Sequence, residues 1–323
     1  MTPEEGGDLP GLDTPLEMLE RMWLIRAFEE RCSRLYAEGH VPGLLHLGIG
    51  QEGVAVGLAS VLRAGDKLFG GHRAHAHALA RGADPERLMA EICGRSTGYC
   101  GGKGGSMHIS APEVGFVTAT GVVAGNIALA LGAALAAMDA GGDAIAVPVF
   151  GDGAGQAGAF HESLNLASLW ELPVLFVCEN NGYAEFSALS EHTRVERLSR
   201  HAETYGIPAV TVDGNDTTAV VEAAGEAVSR IRAGEGPAFL ECLTYRLRGH
   251  YEGDPGKYRE LSELSEWREK DPILRFIEAA GLAGETEAAE AGARAIVDRA
   301  AEATLAAPFP DASTDLLSDV VAA

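Results

Sequence analysis

Basic residues are in short supply in this sequence. Its 323 residues include 25 Lys and Arg against 47 Asp and Glu, a formal net charge of −22. A chain this acidic repels the phosphates of nucleic acid. It repels an anionic membrane face for the same reason. No nucleic acid and no membrane are therefore expected as partners, and a cytoplasmic enzyme is the expected kind of protein. Cysteine is also sparse. The five present are odd in number, and no C-x-x-C occurs. That speaks against a disulfide framework and against a thiolate zinc site. The opening MTPEEGGDLPG is acidic and has no apolar core, so no signal peptide is expected.

Long hydrophobic runs are nearly missing too. The one worth testing is ATGVVAGNIALALGAALAAM, residues 119–138. It is mostly Ala and Gly, contains Asn126, and has no aromatic or Lys/Arg anchors at its ends. A buried helix with small side chains is the better reading.

What the chain has in quantity is glycine, 41 residues, and apolar residues, 46%. Residues 1–14 read as a flexible tail and 15–323 as a single domain. Helical spacing runs from Leu16 to Gly39, and DPERLMAEICG opens a helix with an Asp cap and an early Pro. KLFGG, AIAVPVF, VLFVCE, AVTVD and FLECLTYRL are strand candidates, and residues 287–307 form an Ala-rich closing helix. Near-continuous apolar strands alternating with helices predict an α/β fold, a mostly parallel sheet with helices on both faces.

The chemistry concentrates in FGDGAGQAGAFHESLNLASLWELPVLFVCENNGY, residues 150–183. GAGQAG matches G-x-G-x-x-G, the dinucleotide-binding turn, after a strand and before a helix. Glu179 even ends the next strand, where an acid could hold a ribose. But Asp152 stands directly before the first glycine. A carboxylate repels a diphosphate unless a cation lies between them. Asp152 and the side-chain oxygen of Asn181 would suit Mg²⁺, which prefers oxygen ligands shared with phosphates. The loop pair fits a metal–diphosphate better than metal-free NAD.

GDG followed by ENN resembles the thiamine diphosphate motif. The chain is similar to the α subunit of the E1 component of 2-oxo acid (pyruvate) and acetoin dehydrogenase complexes. The similarity runs from about Leu16 to Asp271. It includes GLLHLGIGQEGVAVG, HRAHAHALARG, GRSTGYCGGKGGSMH, the stretch above and RGHYEGDPGKYR, in that order. This resemblance implies the thiamine diphosphate-binding fold and the cofactors thiamine diphosphate and Mg²⁺. It implies that Asp152, Asn181 and the backbone carbonyl of Tyr183 hold the metal. Gly153, Ala154 and Arg73 would meet the diphosphate, and Gly121 and Val123 the aminopyrimidine. His250 would reach both the diphosphate and the substrate, as the catalytic residue. Many relatives carry a tyrosine where this chain has His72. That departure puts one diphosphate hydrogen bond in question and leans toward the acetoin-type branch.

The resemblance also implies partners. The glutamate that activates the cofactor belongs to a β subunit, so an α₂β₂ assembly is expected, with transfer of a two-carbon unit to a lipoyl-bearing E2. Pyruvate decarboxylation and acetoin cleavage both remain open as the reaction. An NAD(P)-binding oxidoreductase and a non-catalytic scaffold are the other two readings.

Other motifs invite simpler accounts. His72, His75 and His77 alternate, but no Cys or acid pair completes a zinc site, and the segment can equally begin a helix. His108 reads either as a packed loop histidine or as a substrate neighbour. His161-Glu162 is not H-E-x-x-H, since position 165 is Asn, and reads as helix surface or interface. GGKGGS lacks the Ser/Thr of a P-loop and is read as a structural loop.

Overall fold

The computed structural model describes residues 12–315. The first eleven residues of the expected tail lie outside that range. Helix α1 (Pro15–Ala37) starts where the sequence signals it: Thr14 and Glu17 form a reciprocal capping box, and Pro15 takes the first turn. The remaining helices are α2 (Glu52–Ala59), α3 (His75–Ala80), α4 (Pro85–Ile92), α5 (Gly125–Asp139), α6 (Gly158–Leu169), α7 (Leu189–His192), α8 (Ser199–Thr204), α9 (Thr217–Arg232), α10 (Leu261–Glu269), α11 (Pro272–Ala280) and α12 (Thr286–Ala306).

The strands are β1 (Lys67–Gly70), β2 (Phe116–Ala119), β3 (Ala146–Gly151), β4 (Leu175–Asn180), β5 (Tyr183–Ala184), β6 (Ser187–Ala188), β7 (Ala209–Asp213) and β8 (Ala238–Leu243). Six of them form one sheet in the order β2-β1-β3-β4-β8-β7, and every pairing is parallel. β5 and β6 form a separate small hairpin.

The apolar strand runs are explained by burial on two sides. Along β3, β4 and β8, Val147, Val149, Leu175, Val177, Leu240 and Cys242 join one core. Their alternate neighbours Ala146, Phe150, Phe176, Cys178 and Phe239 join the other. Both periods of the strand are thus apolar, as a sheet covered on both faces demands. Four phenylalanines, Phe150, Phe160, Phe176 and Phe239, pack edge-to-face or stacked in the second core.

Residues 119–138 are not one buried helix. Ala119 ends β2, residues 120–124 form a turn, and α5 begins at Gly125. Ala124, before the helix, sits at φ 62°, a left-handed conformation that costs a β-carbon-bearing residue about 1 kcal/mol or more. Only one side of α5 is buried, while Leu129 and Met138 are exposed. Among the described residues, no helix is long and apolar enough to cross a membrane.

Sequence order and sheet order part company at β1. The chain leaves β1 for β2 on one side and returns to β3 on the other. Crevices at such switch points, beyond the carboxyl ends of parallel strands, are where α/β sheets bind ligands.

Candidate active site

A cavity of about 340 Å³ opens at that switch point. Its walls come from the segments that follow five strand ends. Gly71, His72 and Arg73 follow β1, and the turn 120–124 follows β2. Asp152, Gly153 and Ala154 follow β3; Asn181 and Tyr183 follow β4; Arg246 and His250 follow β8. All nine residues singled out in the sequence, Arg73, Gly121, Val123, Asp152, Gly153, Ala154, Asn181, Tyr183 and His250, line this one cavity.

The GDG turn is a short 3₁₀ helix, Asp152–Gln156, and α6 starts only at Gly158. A β-carbon on Gly153 would lie 2.9 Å from that of Ala184, so glycine lets the turn close on the β5–β6 hairpin. The ENN turn is shaped by its own amides. Asn180 Oδ1 accepts from Gly182 N at 3.2 Å, and Asn181 Oδ1 from Tyr183 N at 3.3 Å. Gly182, at φ 81°, completes the turn. Below it, the fully buried Glu241 accepts from Asn180 Nδ2 at 2.7 Å and from Leu198 N at 3.0 Å. This acid of β8 anchors the ENN turn and the start of α8 together.

Asp152 is 1% exposed, and neither carboxylate oxygen has a hydrogen-bond partner among the described residues. The His192 ring approaches it, with Nε2 3.3 Å from Oδ2 but misaligned for a hydrogen bond. A buried carboxylate left this way is costly unless a cation joins it.

Two guanidinium groups face the same space. Arg73 is 9% exposed and Arg246 1%. Neither pairs with a carboxylate among the described residues. Arg73 donates to Leu47 O at 2.7 Å and to His250 O at 2.6 Å. Arg246 donates to Tyr258 Oη at 2.8 Å, to the carbonyl of Glu185 and, at 3.5 Å, to that of Tyr183. Burial, and then the charge of Arg246, lower the Arg73 pKa to about 9. Paired cations held apart from acids form a receptor for a polyanion.

His250 sits between them. Its Nδ1 lies 3.2 Å from Arg73 Nη2 and 3.4 Å from Arg246 Nη1. Guanidinium groups only donate, so Nδ1 accepts and the ring proton belongs on Nε2. Burial first, then both arginines, lower its pKa to about 4. His46 and His72 complete a trio of rings with it, centroids 4.9–5.4 Å apart, His46 edge-on to both others and His72 tilted to His250. Burial and Arg73 lower His46 to about 3 and hold His72 well below its ordinary value.

A pH dependence follows. Unfolding releases these imidazoles to their ordinary pKa near 6.5, so the unfolded chain binds more protons below that value. The trio's contribution to stability is complete above pH 6.5 and is lost as pH falls toward 4. Denaturation midpoints of the ligand-free protein, measured from pH 7 to 4.5, are expected to fall. Replacing all three histidines with Gln is expected to flatten that slope. An equally steep slope in the triple variant would refute this origin.

The alternating histidines do not converge. α3 is a helix, and His75 Nδ1 meets Glu29 at 3.1 Å while its Nε2 meets Ser106 Oγ at 3.0 Å. His77 turns into the cavity wall and meets Glu179 at 3.2 Å. His161 is half-buried on α6, with Nε2 3.1 Å from Gly155 O and Nδ1 3.3 Å from Tyr205 Oη, beside the GDG turn, while Glu162 is exposed. His108 is exposed, and its ring stands near Gly121.

The GGKGGS loop has a clear structural account. It wraps around the buried Glu91, whose carboxylate accepts four backbone N–H groups, from Cys100, Gly102, Gly104 and Gly105 at 2.6–3.1 Å. The nest that a P-loop would offer to phosphate holds the protein's own acid instead. The loop delivers Met107 to the cavity.

The stretch from Pro15 to the end of α12 matches one family model almost throughout. Residues 20–313 match the model described as "Dehydrogenase E1 component". The chain belongs to that family. Three relatives agree along most of their length. The α subunit of acetoin:2,6-dichlorophenolindophenol oxidoreductase from Bacillus subtilis (strain 168) is 43% identical over 311 residues, 94% of this chain and 92% of the relative. Its namesake from Cupriavidus necator is also 43% identical, over 95% of this chain and 94% of the relative. The pyruvate dehydrogenase E1 component subunit alpha of Rhizobium meliloti is 41% identical, over 95% and 89%. Of the cavity residues, Arg246, His46 and Met107 have no role in the sequence reading, and His77 and Glu179 have only those weighed for a zinc or a ribose ligand.

Proposed function

We propose that this chain is the α subunit of an E1 dehydrogenase component. With a β subunit it would use thiamine diphosphate and Mg²⁺ to decarboxylate pyruvate or cleave acetoin, and pass the product to a lipoyl-bearing E2. The assembly would be α₂β₂ and cytoplasmic, and residues 15–323 would form one domain. The observation that carries the reading is the pairing, in one cavity, of an unpartnered buried carboxylate with two unpaired buried guanidiniums. A magnesium diphosphate satisfies both at once. NAD without metal would leave Asp152 unsatisfied.

Thiamine diphosphate, when bound, supplies a nucleophilic carbon for attack on a substrate carbonyl. The chain's own residues do the holding. Asp152, the Asn181 side chain and the Tyr183 carbonyl would ligate Mg²⁺. Arg73, Arg246 and the turn at Gly153 and Ala154 would take the phosphates. Gly121 and Val123 stand at the rim for the aminopyrimidine; Val123 is 60% exposed, as a residue facing a cofactor or a second subunit would be. His250 would present its Nε2 proton to the reacting oxygen.

The test is reconstitution. The chain alone is expected to show no turnover, because the cofactor-activating carboxylate belongs to the partner. With its β partner, reduction of an artificial electron acceptor should appear with acetoin or pyruvate and need both thiamine diphosphate and Mg²⁺. Turnover by the isolated chain, or by the complex without metal, would sink the reading.

A further inference from the structure

Resting on that metal reading, we infer that His192 is a positioning residue for the Asp152 carboxylate. Three observations lead there. His192 is the last residue of α7, and its Nε2 lies 3.3 Å from Asp152 Oδ2. Both ring nitrogens lack a hydrogen-bond partner, and so do both Asp152 oxygens. Arg246, the guanidinium close to Asp152, has its N–H groups directed at Tyr183 O, Glu185 O, Tyr258 Oη and His250 Nδ1.

Mg²⁺ commonly takes one oxygen of a carboxylate. The second oxygen of Asp152 is then buried with a charge and needs a donor. The His192 side chain is within reach. A small ring rotation turns a 3.3 Å approach into an N–H···O bond from Nε2. Such outer partners fix the orientation of a ligating carboxylate, and their loss typically costs ~10–100-fold in metal affinity. The helix that carries His192 is tied to the metal loop itself: Leu189 N donates to Gly182 O at 2.8 Å. Asn181, Tyr183 and His192 therefore move as parts of one segment. Metal binding and the seating of α7 should reinforce each other.

The experiment uses the full α/β complex, with Mn²⁺ in place of Mg²⁺ and saturating thiamine diphosphate. Free Mn²⁺ is counted by electron paramagnetic resonance, so the readout is metal affinity rather than turnover. His192→Ala is expected to weaken Mn²⁺ binding ~10–100-fold. His192→Gln, whose amide N–H can reach the same oxygen, is expected to restore most of it. Unchanged or tighter Mn²⁺ binding in His192→Ala overturns the inference, and so does a Gln variant as weak as the Ala one. Asp152→Ala is run alongside. If it binds Mn²⁺ like the wild type, the metal reading itself has failed. If it loses Mn²⁺ and His192→Ala does not, only the role of His192 has failed.

Discussion

Replacing Asp152 with alanine is expected to abolish metal-dependent thiamine diphosphate binding while leaving the unliganded chain at least as stable as before. The two halves of this result come from one fact. Asp152 is 1% exposed and has no hydrogen bond to either oxygen. Without a metal, that carboxylate bears a desolvation cost with little return. Removing it relieves the cost, and a buried charge replaced by an apolar group is often neutral or stabilising. With a metal, the same carboxylate becomes the anionic ligand of the proposed site. Its loss should exceed the ~10–100-fold typical of an outer-sphere partner. Calorimetric titration of the α/β complex measures the first half, and thermal denaturation of the ligand-free chain the second. Unaltered cofactor affinity would remove Asp152 from the metal site. Tight NAD binding by the wild type without metal would turn the GAGQAG turn back into a dinucleotide site.

The parts of the fold that could be read from sequence are those with strong local signals. β3, β4 and β8 carry apolar runs because both faces of the sheet are covered. Thr14, Pro15 and Glu17 announce α1 through capping chemistry. The GDG and ENN turns announce themselves because a charge in a phosphate-type turn needs a reason. β2 was missed, since Phe116–Ala119 is short and merges into an apolar stretch that reads as helix. What divides that stretch is the turn 120–124, held by Asn126 Nδ2 donating to Phe69 O and Val149 O at 3.2 and 2.7 Å. Those contacts join β1 and β3, far away in sequence. Arg246 and His46 were missed for a similar reason. Nothing local marks an arginine as buried; only the arrival of β8 beside β4 places it in the cavity.

The electrostatics follow the same logic of distance. The chain carries a net charge of −22, yet its cavity gathers two buried arginines against one unpartnered acid. The proposed diphosphate site requires a local field separate from the global charge. The fold supplies one by drawing Arg73 from the end of β1 and Arg246 from the end of β8.

His250→Ala is expected to retain cofactor binding and lose at least ~10²-fold in turnover, the scale of a positioned proton donor. The split follows from which of its atoms does what. The backbone of His250 organises the site whatever its side chain: its N–H donates to Asp254 Oδ2 at 2.6 Å and its carbonyl accepts from Arg73 at 2.6 Å. Asp254 also accepts from Gly256 N and Tyr258 Oη, so the loop keeps its shape in the alanine variant. Arg73 and Arg246, the proposed diphosphate ligands, remain in place. What alanine removes is the Nε2–H, which the two arginines at Nδ1 fix in place. A pKa near 4 keeps the ring neutral through the working range, so it acts as a fixed hydrogen-bond donor and not as an imidazolium. Accordingly, the wild-type pH–rate profile should show no limb near 6.5 from this residue. His250→Gln, which restores an N–H without a titrating ring, should recover part of the lost rate. Calorimetry for cofactor affinity and steady-state turnover of the α/β complex separate the two effects. Wild-type turnover in His250→Ala would strike His250 from the catalytic machinery, and lost cofactor affinity would make it a binding residue instead.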